Sequence, residues 1–237
     1  MAFVLTAFLC AACAPDTSAR LLAGPEVPRV DGRIDQDFSD AFLDAFKTHN
    51  QIAVSSTGGE THQALALARV LAPRRLHLII DDYCFSACAS LLAPAADSIE
   101  FGPDAMFGVH DSPAMARAVY VRDFGRDDDC YVRSGGAHRE MYAWAGRNPR
   151  FPDEVFERLE PLPARAVDIG GDCPRIEYGL THQWWFPTSD QLRDLMGLEF
   201  TGTICADDPD CMRRRLRALR MEGTVMVGEE IWTLPLE

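Results

Sequence analysis

In the first half of the chain, short apolar runs alternate with longer segments in which apolar residues recur every three or four positions. The short runs are typical of buried strands, and the longer segments predict helices with one apolar face. Strands are expected at "PRVDGRID", "QIAVSS" and "RLHLII", and helices at "QDFSDAFLDAFKTHN", "ETHQALALARVLAP" and "SACASLLAPAA". This β-α-β-α-β-α order predicts an α/β fold with a mainly parallel sheet and right-handed crossovers.

The second half of the pattern is less regular. "SIEFGPDAMFGVHDS" predicts two short strands, whereas the segment 114–180 offers one helix, "GAHREMYAWAG", in what we expect to be a loop-rich insertion. Order returns at Thr188, which forms a capping box pattern with Gln191, and Gly197 ends that helix. The final "TVMVGEEIWTLPLE" predicts a hairpin or a closing strand.

Length and charge narrow the function classes. The 237 residues are 47% hydrophobic and 25% charged, which suits one domain with a proper core. The net charge of -13 comes from 36 acidic against 23 basic residues, and Lys47 is the only lysine. No basic patch favours nucleic acid, because "RRRLRALR" follows the acidic "DDPD" and predicts a charged helix face.

The N-terminal segment predicts an export leader over residues 1–20, followed by a single domain over 21–237. Its apolar run ends at Ala14, too short for a membrane span, which needs about 20 residues. Since no basic residue precedes Arg20, the run is either an export signal or a buried N-terminal element. "LCAAC" resembles the lipobox of bacterial lipoproteins, which makes Cys13 a lipidation candidate and a lipid anchor to the membrane an open alternative.

The cysteines favour the exported alternative. If Cys10 leaves with the leader and Cys13 is acylated, an even set remains, suited to disulfides in an oxidising compartment. This set comprises Cys84, Cys88, Cys130, Cys173, Cys205 and Cys211. Six cysteines allow fifteen pairings, of which Cys205 with Cys211 and Cys84 with Cys88 are the two we expect. The one CxxC pair, Cys10 with Cys13, lies in the predicted leader, so no metal site is predicted in the domain.

Three candidate functional segments fall at the ends of predicted strands, where sites gather in parallel sheets: "TGG" with Gly58 and Gly59, Ser86, and His110. A serine at a helix start has its own N–H and that of Ala87 free for an oxyanion, and a histidine supplies the base that a serine nucleophile needs. Each has an ordinary structural alternative. Ser86 taken alone is more often a helix N-cap, the glycines a tight turn, and His110 a core histidine.

The motifs "SSTGG", "CFSAC" and "FGVH", in this order and spacing, resemble the proteolytic subunit of the Clp protease and especially its exported bacterial relatives. The resemblance runs from about Val27 to Phe200 and includes "TSDQLRDLMGL". It implies a ClpP/crotonase-like superhelix of β-α units with Ser86 as nucleophile and His110 as base. It also implies an oxyanion hole from the N–H of Gly58 or Gly59 with that of Ala87. An exported, periplasmic or lipid-anchored peptidase without cofactor or ATPase partner would follow.

The resemblance fails at the third catalytic group. Where the family has an aspartate that orients the histidine, the alignment of "WWFPTSDQL" places Trp184. Asp168 and Asp172 lie upstream and are the candidate acids, while Asp111, next to His110, is expected to point the other way on a strand. Loss of the acid would slow a triad enzyme by about 10⁴-fold.

Two other hypotheses about function are consistent with the same residues. One is a binding or scaffold protein that kept the fold and lost its activity, and the other is an acyl-transfer enzyme acting on a non-peptide ester. A serine-lysine mechanism is not expected, because Lys47 precedes "TGG". A homo-oligomer stays open, although "GAHREMYAWAG" is shorter than the long helix through which Clp subunits form rings.

Overall fold

The structure is a computed structural model that describes residues 27–148, 150–167 and 175–234. The strands are β1 Arg29–Ile34, β2 Gln51–Gly59, β3 His77–Phe85, β4 Ser98–Phe101, β5 Met106–Gly108, β6 Arg165–Val167, β7 Arg175–Glu177, β8 Trp184–Phe186, β9 Phe200–Thr201, β10 Gly223–Val227 and β11 Glu230–Leu234. The α-helices are α1 Gln36–Phe46, α2 Thr61–Leu71, α3 Pro113–Phe124, α4 Asp129–Trp144, α5 Phe151–Leu159, α6 Ser189–Gln191 and α7 Pro209–Ala218.

The main sheet is parallel, which confirms the α/β prediction. Its strand order is β1-β2-β3-β4-β9, and β5 pairs with the outer half of β3. Every pairing in this sheet runs parallel. The central strands carry Ile52, Val54, Leu78 and Ile80, all fully buried between the helices that cover the sheet. Continuous apolar runs are typical of parallel strands covered on both faces.

A smaller sheet lies beside the carboxyl end of β5. It has the order β11-β10-β8, and β10 and β11 form the antiparallel hairpin expected at the end of the chain. Val109 joins it to the main sheet, because its N–H donates to the Trp185 carbonyl at 2.9 Å and its carbonyl accepts from the Trp185 N–H at 2.8 Å. The backbone immediately before His110 is therefore fixed against β8.

The segment expected to be a loop-rich insertion, 114–180, instead contains three helices, α3, α4 and α5. Helix α3 is started by Ser112, whose hydroxyl accepts from the Met115 N–H at 3.1 Å, and by Pro113 in its first turn. Its buried residues, such as Met115 and Val119, are interspersed with polar ones and form no clean apolar stripe. The periodicity that reveals amphipathic helices is therefore weak here.

The helix predicted over "SACASLLAPAA" is also irregular. It consists of a π-helical turn at Cys88–Leu92 followed by a 3-10 turn at Ala93–Ala95. Pro94 has no N–H to continue an α-helical ladder, which explains the change of helix type. The capping box of Thr188 and Gln191 is formed, and Gly197 ends the following turn at a φ of +64°.

The two expected disulfides are confirmed. Cys84 is bonded to Cys88 and Cys205 to Cys211, each with a Cα–Cα distance of 5.3 Å. Cys130 is also disulfide-bonded, while Cys173 lies outside the described residues, as do Cys13 and the leader 1–20. Among the helices that the structure describes, none is long and apolar enough to cross a membrane.

Candidate active site

Ser86 occupies a strained turn between β3 and the π-helical turn. Its φ is +54°, in the left-handed region that non-glycine residues rarely adopt. Its N–H donates to the Gly108 carbonyl at 2.9 Å, and its carbonyl accepts from the Ser90 N–H at 2.8 Å. The N–H of Ser86, expected to face an oxyanion, is thus used to hold the turn against β5. The buried Cys84–Cys88 disulfide spans the same turn.

His110 lies directly opposite Ser86. Its Nε2 is 2.6 Å from the Ser86 Oγ, within hydrogen-bond range. The residue follows the end of β5 at Gly108 and the bridge at Val109, so that the paired backbone of β3, β5 and β8 sets the distance. With its proton on Nδ1, the imidazole accepts the hydroxyl proton of Ser86, as a general base must.

Gly58 leaves space for the backbone of the turn at Ser86. A Cβ on Gly58, which has a φ of +84°, would lie 2.5 Å from the Ser86 Cβ and 2.6 Å from the Phe85 carbonyl oxygen. Its N–H, expected as an oxyanion donor, instead donates to the Ser56 Oγ at 3.1 Å. Gly59 packs on β1, where an added Cβ would meet the Ile34 carbonyl at 2.3 Å. Close approach, and not a vacant Gly58 N–H, explains why glycine stands beside the serine.

Ala87 follows Ser86 at the start of the π-helical turn. The first N–H groups of a helix have no carbonyl acceptor within that helix, and the helix dipole adds partial positive charge there. The role expected for the Ala87 N–H, stabilising negative charge that develops beside Ser86, stays a prediction.

Trp184 stands against the histidine where the alignment places the family's acid. The centroids of the His110 and Trp184 rings are 4.5 Å apart. The second imidazole nitrogen of His110, Nδ1, lies 3.5 Å from Asp111 Oδ1. Asp111 was expected to point away from His110, and this prediction is wrong, because β5 ends at Gly108 and strand alternation no longer applies. Asp168 and Asp172 lie outside the described residues.

Tyr178 completes a polar chain that begins at Ser86. Its hydroxyl donates to Asp111 Oδ2 at 3.3 Å. Burial, and then the neighbouring Asp111 carboxylate, raise the pKa of the Tyr178 phenol well above its ordinary value. The phenol therefore keeps its proton and stays a donor to the carboxylate.

A cavity of about 290 Å³ opens beside Ser86. Small or hydroxyl-bearing side chains make up most of its wall, together with one carboxylate and one phenol. The lining residues are Thr61, Ser86, Ala87, Ser90, Asp111, Ser112, Pro113, Ala116, Tyr131 and Ser134. A larger groove of about 550 Å³ lies between α2 and α4, beside Arg69 and Trp144, and includes neither Ser86 nor His110.

Within the described ranges, no cluster of three or more histidine, cysteine, aspartate or glutamate side chains could hold a metal ion. Sequence reasoning missed three residues at the site: Asp111 in its observed orientation, Tyr178, and Ser56 as the acceptor for Gly58. A signal existed for Asp111 alone, since it follows the histidine directly. Tyr178 is 67 residues away from Asp111 along the chain, and no local pattern joins the two.

Comparison with known proteins finds similar backbones in solved Clp protease structures. The ClpP protease catalytic domain from Plasmodium falciparum aligns with a TM-score of 0.41 and 9% identity, covering 75% of this chain and 85% of its own. A ClpP1 variant from Listeria monocytogenes aligns with a TM-score of 0.43 and 14% identity, covering 78% and 94%. No protein-family profile matches the sequence, and no curated protein matches it significantly. At these identities the similarity concerns the course of the backbone alone.

Proposed function

We propose that this chain is an exported serine hydrolase, a Clp-type peptidase that works without ATP on peptide or protein substrates. Ser86 is the nucleophile and His110 the general base. The observation that carries the proposal is the 2.6 Å contact between the Ser86 Oγ and the His110 Nε2, made by a serine held at positive φ beside an open cavity. Backbone strain of this kind is concentrated at functional sites, and a nearby base activates a serine.

In the proposed reaction, His110 Nε2 takes the hydroxyl proton while the Ser86 Oγ bonds to the substrate carbonyl carbon. The imidazolium then gives this proton to the leaving amine, the C–N bond breaks, and the acyl group stays on Ser86. A water molecule, deprotonated by His110, releases the acid and restores the serine. No cofactor takes part.

The proposed oxyanion donors are the N–H groups of Ala87 and Gly59. Gly58 is left out because its N–H donates to Ser56. Removing one donor of this type from a serine hydrolase costs about 10²- to 10³-fold in rate. The cavity of about 290 Å³ would receive one substrate side chain next to the scissile bond.

Export is the second part of the proposal. The two disulfides support an oxidising compartment, because cytosolic thiols are kept reduced. We place the mature protein in the periplasm or on a membrane through a lipid at Cys13. Residues 21–237 are proposed to form one domain, in which the 114–180 segment borders the cavity through Ala116, Tyr131 and Ser134. Assembly into a homo-oligomer remains part of this proposal.

The second candidate is a binding or scaffold protein with the same fold. The observation that favours it is Trp184, whose ring packs on His110 where a hydrolase of this family has its acid. The two candidates differ in one measurable property, the nucleophilicity of Ser86.

Reaction with a fluorophosphonate probe tests the proposal. The purified full chain is expected to form one covalent adduct, mapped by mass spectrometry to Ser86. Ser86→Ala and His110→Gln should abolish it. Ser134→Ala is the matched control, because Ser134 lines the same cavity but its hydroxyl donates to the Cys130 carbonyl at 3.0 Å. If the wild-type chain forms no adduct, the hydrolase proposal is wrong and the scaffold candidate takes its place.

A further inference from the structure

We infer that Asp111, held by Tyr178, is the positioning residue that orients His110 and stabilises its charged form. This inference rests on the proposed hydrolase function and deepens it. It assigns the role of the missing acid to a residue that directly follows the base in sequence, since the alignment has Trp184 where the family has its acid.

The two imidazole nitrogens of His110 face two different partners. Nε2 contacts the Ser86 hydroxyl at 2.6 Å, and Nδ1 lies 3.5 Å from Asp111 Oδ1. Within the described part of the chain, Asp111 is the one carboxylate paired with His110. A carboxylate on the Nδ1 side favours the tautomer with its proton there, which leaves Nε2 as the acceptor for the serine proton.

Tyr178 gives the carboxylate a fixed position. Its hydroxyl donates to Asp111 Oδ2 at 3.3 Å, so Oδ1 is left to face the imidazole. Tyr178 directly follows β7, and β7 is attached to α4 because the Ile176 N–H donates to the Tyr131 hydroxyl oxygen at 3.2 Å. Asp111, the neighbour of the base, is thus held by a partly buried aromatic side chain from a distant part of the chain.

Trp184 limits where the imidazole can go. Its ring lies 4.5 Å from that of His110 and is itself packed on Phe85, at a centroid distance of 5.4 Å. An aromatic ring can restrict the orientation of the imidazole but carries no negative charge to stabilise an imidazolium. A division of roles follows, in which Trp184 confines the ring and Asp111 supplies the charge.

Among the described residues, two tyrosines and a helix N-terminus lie around Asp111. Tyr178 faces Asp111, Tyr131 lies on the same cavity wall, and α3 begins at Pro113 with the partial positive charge of a helix N-terminus. The side chain of Asp111 is 47% exposed. An exposed ion pair without a catalytic role adds little stability and leaves a reaction rate unchanged, which makes the role testable.

The test measures the fluorophosphonate labelling rate of Ser86 against pH in full-length variants. Asp111→Asn is expected to slow labelling by about 10²- to 10⁴-fold, the range set by the loss of a triad acid. The midpoint of the rise in rate with pH should also move to lower pH, because the carboxylate that favours a protonated His110 is gone. Asp111→Glu should recover part of the rate, and Tyr178→Phe should cost less than Asp111→Asn.

Asp190→Asn is the matched control, since the Asp190 side chain is 92% exposed and pairs only with Arg193 among the described residues. It should change neither the rate nor the midpoint. If the wild-type chain is not labelled, the hydrolase proposal itself fails. If the wild type is labelled but Asp111→Asn matches its rate, or loses rate without a shift of the midpoint, the inference about Asp111 is wrong. If Asp111→Asn does not fold, Tyr178→Phe is judged by its rate, and a rate equal to that of the wild type would overturn the inference.

Discussion

At the scale of single residues, the site depends on two backbone conformations that most side chains avoid. Ser86 has a φ of +54° and Gly58 a φ of +84°, and Gly58 lies so close to Ser86 that a Cβ on it would be 2.5 Å from the Ser86 Cβ. The left-handed conformation costs a residue with a side chain about 1–2 kcal/mol. Ser86 is strained by this conformation, whereas Gly58 has no Cβ and is not. The turn therefore keeps the Ser86 hydroxyl exposed to the cavity.

Gly58→Ala is therefore expected to displace Ser86. The new methyl group would lie 2.5 Å from the Ser86 Cβ, and alanine disfavours the φ of Gly58. We expect stability to fall by about 2 kcal/mol and fluorophosphonate labelling to fall at least tenfold. Gly136→Ala in α4 is the matched control, because an added Cβ there meets nothing within 4 Å. It should raise stability by about 0.5–1 kcal/mol in urea unfolding and leave labelling intact.

The same scale shows where sequence reasoning succeeds and fails. Ser86 and His110 could be proposed as partners because each follows an apolar run, and strands of one parallel sheet end at one edge. The prediction for Asp111 is wrong because side-chain alternation ends with Gly108, the last residue of β5. The boundary of a three-residue strand is the kind of detail that a sequence pattern does not fix.

At the scale of elements, β3 and the turn after it are joined by a disulfide. Cys84 is the next-to-last residue of β3, Cys88 begins the π-helical turn, and Ser86 lies midway between them. The pairing could be predicted from a four-residue spacing across a strand-to-helix junction. The type of helix could not, because apolar periodicity does not distinguish an α-helical from a π-helical turn.

Replacing Cys84 and Cys88 by alanine should therefore affect the site more than the fold. We expect a loss of about 2 kcal/mol in stability and at least a tenfold loss in labelling of Ser86. The Cys205→Ala, Cys211→Ala pair is the control, since this disulfide closes a loop of similar length away from Ser86. Its stability loss should be similar and its labelling within twofold of wild type. Equal labelling by the two double variants would show that the Cys84–Cys88 bond does not shape the turn.

A buried histidine attaches helix α4 to the π-helical turn that follows Ser86. His138 is fully buried, and its Nε2 donates to the Ser90 carbonyl at 3.1 Å. Burial lowers the pKa of His138 to about 4 from an ordinary 6.5. The folded protein therefore keeps this side chain neutral at pH values where the unfolded chain already binds a proton.

Stability should fall as the pH is lowered from about 6.5 to about 4, by about 3 kcal/mol for this group. Below about pH 4 this loss of stability is complete, and above about pH 6.5 none of it has occurred. His138→Gln keeps a donor for the Ser90 carbonyl and should lose correspondingly less stability over the range, measured by urea unfolding at several pH values. His62→Gln, at an exposed position, is the control. If His138→Gln loses as much stability as the wild type over this pH range, His138 is not the cause of the acid sensitivity.

At the scale of the whole molecule, the parallel sheet could be predicted from the order of its elements alone. Three strand-helix pairs in succession leave few topologies once crossovers are short and right-handed. In the 114–180 segment α4 was predicted in part, as "GAHREMYAWAG", but α3 and α5 were not, and neither was the approach of Tyr178 to Asp111. Both depend on packing between distant parts of the chain, as in the bridge that joins Val109 to Trp185.

The last prediction concerns the leader. We expect the exported protein to begin at or just after Cys13 and a chain lacking residues 1–20 to fold as well as the full chain. The physical reason is that β1 begins at Arg29, and the described residues from Val30 onward already form a continuous buried core. Intact mass of protein recovered from an oxidising compartment measures the first residue, and thermal unfolding compares the two chains. Retention of residues 1–12, or a fall in Tm of more than about 4 °C, which is about 1 kcal/mol for a chain of this size, would show that the apolar run packs into the fold.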